Sequence, residues 1–86
     1  MRHLASPRFW ALYRALPDEV RSLADKSFAH LKADPRHPSL HFKRIGPVWS
    51  ARVGGHYRVL GHDVEDGVQW FWIGTHAEYD RLIGSR

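Results

Sequence analysis

The loop at residues 54–56 lies between two alternating runs, and it constrains the fold more than any other feature of the sequence. Apolar side chains alternate with polar ones in residues 48–53 and again in 57–60. With a two-residue turn, the two apolar sets would face opposite sides of the sheet, which a half-buried sheet cannot accommodate. A three-residue loop pairs Val53 with Tyr57 and brings both sets to one face. We therefore predict a bulged hairpin.

The same register has a consequence for charge. It places Arg52 directly opposite Arg58, on the face of the sheet that does not carry the apolar side chains. Like charges directly opposite one another destabilise a sheet. We therefore expect the pair to require an anionic partner.

The remaining patterns predict helices before the strands and one helix after them. Ser6 followed by Pro7 is typical of a helix start, and a second helical period runs from Pro17 to the Asp34-Pro35 stretch. Strands follow at 40–45, 48–53, 57–60 and 68–73, and Thr75 with Glu78 forms a capping box for a last helix. The predicted fold class is α+β, with two N-terminal helices packed on a four-stranded antiparallel sheet and a short C-terminal helix.

Length and composition limit the alternatives. A chain of 86 residues, 43% hydrophobic and without cysteine, fits one domain over residues 1–86 with a dense core and no disulfides. No run approaches the length of a membrane span or a secretory signal, so we expect a cytoplasmic protein that does not contact membranes. No histidine pair has convincing metal spacing, and we expect neither metal nor cofactor.

Net charge alone leaves two readings open. The formal charge is +4, which suits an anionic partner such as nucleic acid or an acidic protein. Many small soluble proteins carry a similar charge for solubility alone.

Three segments together resemble the RelE/ParE toxin superfamily of type II toxin–antitoxin systems. They are residues 49–53 (Trp-Ser-Ala-Arg-Val), 56–60 (His-Tyr-Arg-Val-Leu) and 72–76 (Trp-Ile-Gly-Thr-His). The predicted element order also matches the fold of that superfamily. The resemblance implies a toxin, either a RelE-like ribosome-dependent mRNA endonuclease or a ParE-like gyrase poison.

The resemblance also implies roles for individual residues. In YoeB-type enzymes a Trp-Ser-x-Arg strand and an Arg on the next strand line the active site, and Arg52 and Arg58 match these positions. His76 matches the catalytic His of YafQ-type relatives, and Tyr79 could correspond to a functional Tyr of RelE. YoeB-type enzymes carry a catalytic Glu before the Trp strand, whereas residues 39–43 read Ser-Leu-His-Phe-Lys. The general base is therefore left open.

Metal-independent RNA cleavage needs a base for the 2′-hydroxyl, cations for the phosphate and an acid for the leaving oxygen. Arginine does not deprotonate, but its planar fork fits phosphate oxygens. We assign transition-state charge to Arg52 and Arg58 and proton transfer to His76, with His41 as a second candidate. Tyr79 could donate a proton, orient the phosphate or stack on a base. Contacts to RNA are assigned to His41, Lys43, Arg44 and His56.

Each assignment has a simpler structural reading. The two arginines would be solvated sheet residues, His76 a surface residue, Tyr79 a core residue and His56 a turn residue. We expect most of the four tryptophans to be core residues too, although Trp70 and Trp72 could stack on bases.

We therefore expect an endoribonuclease that acts on ribosome-bound mRNA and is neutralised by an acidic, partly helical antitoxin covering the arginines. The alternatives are a ParE-like gyrase poison and a toxin-like module that has lost toxicity and binds only its partner or operator DNA.

Overall fold

The computed structural model describes residues 2–84 and consists of a five-stranded sheet with helices on both faces. In chain order the elements are β1 (Arg2–Ala5), α1 (Pro7–Arg14), α2 (Asp18–Ala33), a 3-10 helix (Pro38–Leu40), β2 (Lys43–Ile45), β3 (Val48–Val53), β4 (Tyr57–Val64), β5 (Gly67–Thr75) and α3 (His76–Gly84). The predicted α+β class and the three α-helices are confirmed. No helix within this part of the chain is both long and apolar enough to cross a membrane.

The sheet contains one strand more than predicted. Its order is β1-β5-β4-β3-β2, and β1 pairs in parallel with β5 whereas all other pairs are antiparallel. The prediction of a four-stranded antiparallel sheet was therefore wrong in the number of strands, and it missed that one strand pair is parallel. Gly67 permits the extra pairing, because a Cβ atom there would overlap the backbone carbonyl of Arg2.

The first predicted strand is shorter than expected. Leu40 was assigned to it, but Leu40 ends the 3-10 helix and is 1% exposed, buried in the core. Pro38 begins that helix, and His37 accepts a hydrogen bond from the Ser39 amide. These turn contacts hold the segment out of the sheet, so that strand pairing begins only at Lys43.

The core fills the space between the sheet and helices α1 and α2. A register shift between Leu60 and Gly61 leaves Phe71 without a partner on β4. Because of this bulge, Trp70 and Ile73 are both buried in the core although they are three residues apart on one strand. The buried core residues are Ala24, Leu31, Leu40, Ala51, Val53, Val59, Val68, Trp70 and Ile73.

Two predicted helix starts have the expected caps. The Ser6 hydroxyl accepts a hydrogen bond from the Phe9 amide at 3.1 Å. At α3, the Glu78 amide donates to the Thr75 hydroxyl at 3.1 Å, and the Thr75 amide donates to the Glu78 carboxylate at 2.8 Å. This reciprocal pair is a capping box, and it fixes the point at which β5 turns into α3.

Candidate active site

The hairpin between β3 and β4 has the register that the sequence predicts. Val53 pairs with Tyr57, and Arg52 pairs with Arg58. Gly54 adopts the left-handed conformation, with φ of 59°, which lets the loop close over three residues. Since neighbouring side chains of a strand alternate between faces, the two arginines lie on the face opposite the α1–α2 core.

Arg58 is buried on that face, and it has no counterion among residues 2–84. Only 7% of it is exposed, and its guanidinium lies 4.9 Å from the centre of the Tyr79 ring. Its Nη1 donates a long hydrogen bond of 3.4 Å to the Ser50 hydroxyl, and its Nε has no partner. Within residues 2–84 it forms no ion pair with a carboxylate. An unpaired buried cation is costly, and an anion at this position would relieve that cost.

Arg52 is half-buried and contacts an imidazole instead of a carboxylate. Its Nη1 lies 3.4 Å from Nε2 of His41, and its buried Nε lacks a partner. Because arginine only donates, Nε2 of His41 is the acceptor in this contact. His41 itself has a φ of 45°, a conformation that is strained for a residue other than glycine.

These side chains form a line across the sheet, which we call the arginine row: His41, Arg52 and Arg58. Lys43 pairs with Ser50, so His41, two residues earlier, stands beside Arg52. Arg58 in turn pairs with Gly74 on β5, next to the start of α3. With about 4.8 Å between neighbouring strands, the row leads directly from the β2 edge to α3.

Helix α3 brings His76 and Tyr79 to the end of the arginine row. Tyr79 is 6% exposed and packs on Arg58, and its ring centre is 5.8 Å from that of His76. The His76 amide donates to the His56 carbonyl at 2.7 Å, which fixes the backbone at the helix start. The simpler reading of Tyr79 as a packed residue and the functional reading are thus compatible, because the surface it packs on is Arg58.

The other predicted RNA contacts lie in different places. Lys43 is exposed and, as the partner of Ser50, lies on the same face as the arginine row. Arg44 is on the opposite face, where it stacks on Trp49 at 4.5 Å and donates two hydrogen bonds to Asp63, at 2.7 and 2.8 Å. The structure therefore does not bring Arg44 to the site. His56 is exposed in the hairpin loop.

Two acidic residues have pKa values shifted by these contacts. Hydrogen bonds from the Trp49 indole and from Arg44 lower the pKa of Asp63. Hydrogen bonds from the Thr75 amide and hydroxyl lower the pKa of Glu78. Both carboxylates are therefore ionised at neutral pH and committed to neighbouring groups, and neither offers a replacement for the missing upstream Glu.

Sequence reasoning missed Ser50 and Asp80 as parts of the site. Ser50 is fully buried and is the hydroxyl acceptor for Arg58. Asp80 Oδ2 lies 3.1 Å from Nδ1 of His76, one helical turn away. The four-residue spacing within a predicted helix was the available signal for the second contact.

Comparisons with known proteins identify the family and the fold. The family model of the ParE-like toxin domain matches residues 18–81. No curated protein matches the sequence. A chain of the RelB–RelE antitoxin–toxin complex from Methanococcus jannaschii is 14% identical with a TM-score of 0.70, over 92% of this chain and 96% of that chain. The isolated E. coli RelE toxin is 15% identical with a TM-score of 0.62, over 96% of this chain and 95% of that chain.

The fold is therefore the RelE toxin fold, and the class of protein is a toxin of the RelE/ParE superfamily of toxin–antitoxin systems. The chain belongs to the ParE-like toxin domain family, whose model matches most of its length. The resemblance stated from the three sequence segments is thereby confirmed.

Proposed function

We propose that this toxin is a ribosome-dependent mRNA endonuclease. The observation that carries the proposal is the arginine row, in which two guanidiniums without a carboxylate partner in the described chain stand side by side. His41 contacts Arg52, and Tyr79, which neighbours His76, packs on Arg58. Planar guanidinium groups bind phosphate oxygens in a bidentate manner, so the row suits an RNA backbone.

The proposed reaction is an attack of the ribose 2′-hydroxyl on the adjacent phosphate. A base removes the proton of the ribose 2′-hydroxyl, and the 2′-oxygen forms a bond to the adjacent phosphorus. The bond from phosphorus to the 5′-oxygen breaks, and an acid protonates that oxygen. The products are a 2′,3′-cyclic phosphate and a free 5′-hydroxyl. Arg52 and Arg58 stabilise the charge that grows on the non-bridging oxygens.

The two imidazoles supply the proton transfers. His41 stands beside Arg52, and His76 stands next to Tyr79, whose ring packs on Arg58. The attacking and leaving oxygens lie on opposite sides of the phosphorus, so the reaction calls for one proton-transfer group at each of them. In this arrangement one histidine acts as the base and the other as the acid. His41 thereby takes the place of the missing Glu.

The test uses purified protein and ribosomes that carry a defined mRNA, with cleavage followed by primer extension. We expect cuts within the reading frame of the bound transcript, and a loss of about 100-fold or more for Arg58→Ala and for His76→Ala. Arg14→Ala is the matched control, because this exposed residue ends α1 on the other side of the sheet. Intact mRNA with the wild-type protein would contradict the proposal.

We further propose that an acidic, partly helical antitoxin segment covers Arg52, Arg58 and α3. The proposal is supported by the uncompensated positive charge of that face, and the related M. jannaschii structure is a RelB–RelE antitoxin–toxin complex. The candidate is the product of a short acidic reading frame adjacent to the toxin gene. Its affinity, measured by calorimetry, should fall at least tenfold with Arg52→Glu and should weaken as salt is raised. If the wild-type toxin and Arg52→Glu bind the antitoxin with equal affinity, the proposed interface is wrong.

A gyrase poison is the second candidate function, and the match to the ParE-like toxin domain favours it. Such a protein acts by binding another protein and does not need His76 as a catalyst. Induction of the DNA-damage response with unbroken mRNA, and full toxicity of His76→Ala, would support this candidate. Survival of cells on unrestrained expression would instead indicate a module that only binds its partner or operator DNA.

A further inference from the structure

A carboxylate stands behind the proposed proton-transfer group. Asp80 Oδ2 lies 3.1 Å from Nδ1 of His76, and the two residues are one turn apart on the same face of α3. The side chains are 44% exposed for His76 and 62% exposed for Asp80, so the pair lies at the surface. The other ring nitrogen, Nε2, forms no hydrogen bond with the described part of the chain.

The contact selects one form of the imidazole. A carboxylate only accepts hydrogen bonds, so Nδ1 must carry the proton that it donates to Asp80. Neutral His76 then presents its lone pair at Nε2, and protonated His76 presents a proton at the same atom. Either direction of proton transfer therefore takes place at Nε2 while Nδ1 stays bound to Asp80.

The surface position of the pair argues against a mainly structural role. Exposed pairs four residues apart on a helix add little to stability because water and salt screen them. The start of α3 is fixed independently, by the capping box of Thr75 and Glu78 and by the bond from the His76 amide to His56. We therefore infer that the contact with Asp80 serves to orient the imidazole of His76.

We propose that Asp80 is a positioning residue that holds His76 with its proton on Nδ1 and its Nε2 directed at the RNA. This inference rests on the proposed endonuclease function for its effect on rate, but the state of the ring is measurable without any substrate. A carboxylate behind a catalytic imidazole selects the tautomer and stabilises the imidazolium that forms during the reaction.

The first measurement is nitrogen NMR of the imidazole rings in the full chain, above the titration range of histidine. We expect His76 to be protonated on Nδ1 in the wild type and to shift toward protonation on Nε2 in Asp80→Ala. Asp80→Glu should restore the wild-type form, because the longer carboxylate still reaches Nδ1. Glu19→Gln removes one negative charge from α2, on the other side of the sheet, and should change nothing. An unchanged tautomer in Asp80→Ala would overturn the assignment.

The second measurement is cleavage of ribosome-bound mRNA by the same variants. We expect kcat of Asp80→Ala to fall about 10- to 100-fold with KM unchanged, and Asp80→Glu to recover most of the rate. The Tm of Asp80→Ala should equal that of the wild type. A wild-type rate in Asp80→Ala would overturn the positioning role. If the wild type fails to cleave while the NMR result holds, the endonuclease function is wrong and the ring assignment stands.

Discussion

Arg58 should lower the stability of the isolated protein, and removing it together with its hydroxyl partner should raise that stability. The perturbation is the double variant Ser50→Ala with Arg58→Met. Both residues are buried, and Nε of Arg58 has no partner. The double change replaces both polar partners by apolar groups, so no buried hydroxyl is left without a donor.

The magnitude follows from the contacts around the guanidinium. A buried, unsatisfied donor costs about 1–3 kcal/mol. The stacking on Tyr79 offsets about 1–2 kcal/mol of that cost, and the 3.4 Å bond to Ser50 is too long to add much. At the middle of these ranges, removing all three leaves a net stabilisation of about 0.5 kcal/mol, which corresponds to a rise in Tm of about 2–4 °C for a domain of this size.

The assay is urea and thermal unfolding followed by circular dichroism, in low salt. The single variant Arg58→Met should gain less stability against unfolding than the double variant, because it leaves the Ser50 hydroxyl without a donor. Arg44→Met is the control: its guanidinium is exposed and paired with the exposed Asp63, so we expect no gain in stability. If the double variant loses 1 kcal/mol or more, Arg58 stabilises the fold and the reasoning from an uncompensated charge is wrong.

Three further predictions concern the positions that shape the fold around the site. Gly67→Ala should detach β1 and destabilise the protein by about 1–3 kcal/mol, measured by urea unfolding, because its Cβ would overlap the β1 backbone. Gly54→Ala should cost about 1–2 kcal/mol, since the residue has a φ of 59°, whereas Gly55→Ala, with open space around it, should cost nothing measurable. Because its folded-state pKa is lowered, Glu78 adds stability above the ordinary glutamate pKa and loses that contribution as the pH falls through the lowered value. The difference in Tm between wild type and Glu78→Gln should therefore narrow below about pH 4.

Local patterns predicted the parts of the fold that local interactions determine. The hairpin register followed from the alternation on either side of residues 54–56, and the start of α3 followed from the capping box of Thr75 and Glu78. In both cases the residues that decide the structure are within a few positions of one another. The opposition of Arg52 and Arg58 followed from the register alone.

The missed features depend on contacts between distant parts of the chain. Strand β1 exists because it pairs with β5, more than 60 residues away, and four residues carry no alternation that would reveal it. Leu40 fitted an alternating pattern, but burial in the core and the turn around Pro38 placed it in a 3-10 helix. Arg44 is different: consecutive strand residues point to opposite faces, so grouping it with Lys43 conflicted with the periodicity itself.

The cost of keeping Arg58 buried bears on how substrate and antitoxin would act. Within residues 2–84 Arg58 has no counterion, and the resulting free-energy penalty would be relieved by any anion on the arginine row, whether a phosphate of the proposed RNA substrate or a carboxylate of the proposed antitoxin. RNA and antitoxin would both bind the unpaired groups of Arg52 and Arg58, so they would compete for the arginine row. The double variant, which lacks that penalty, should therefore lose affinity for both ligands at once. A variant that lost one affinity and kept the other would show that the two occupy separate surfaces.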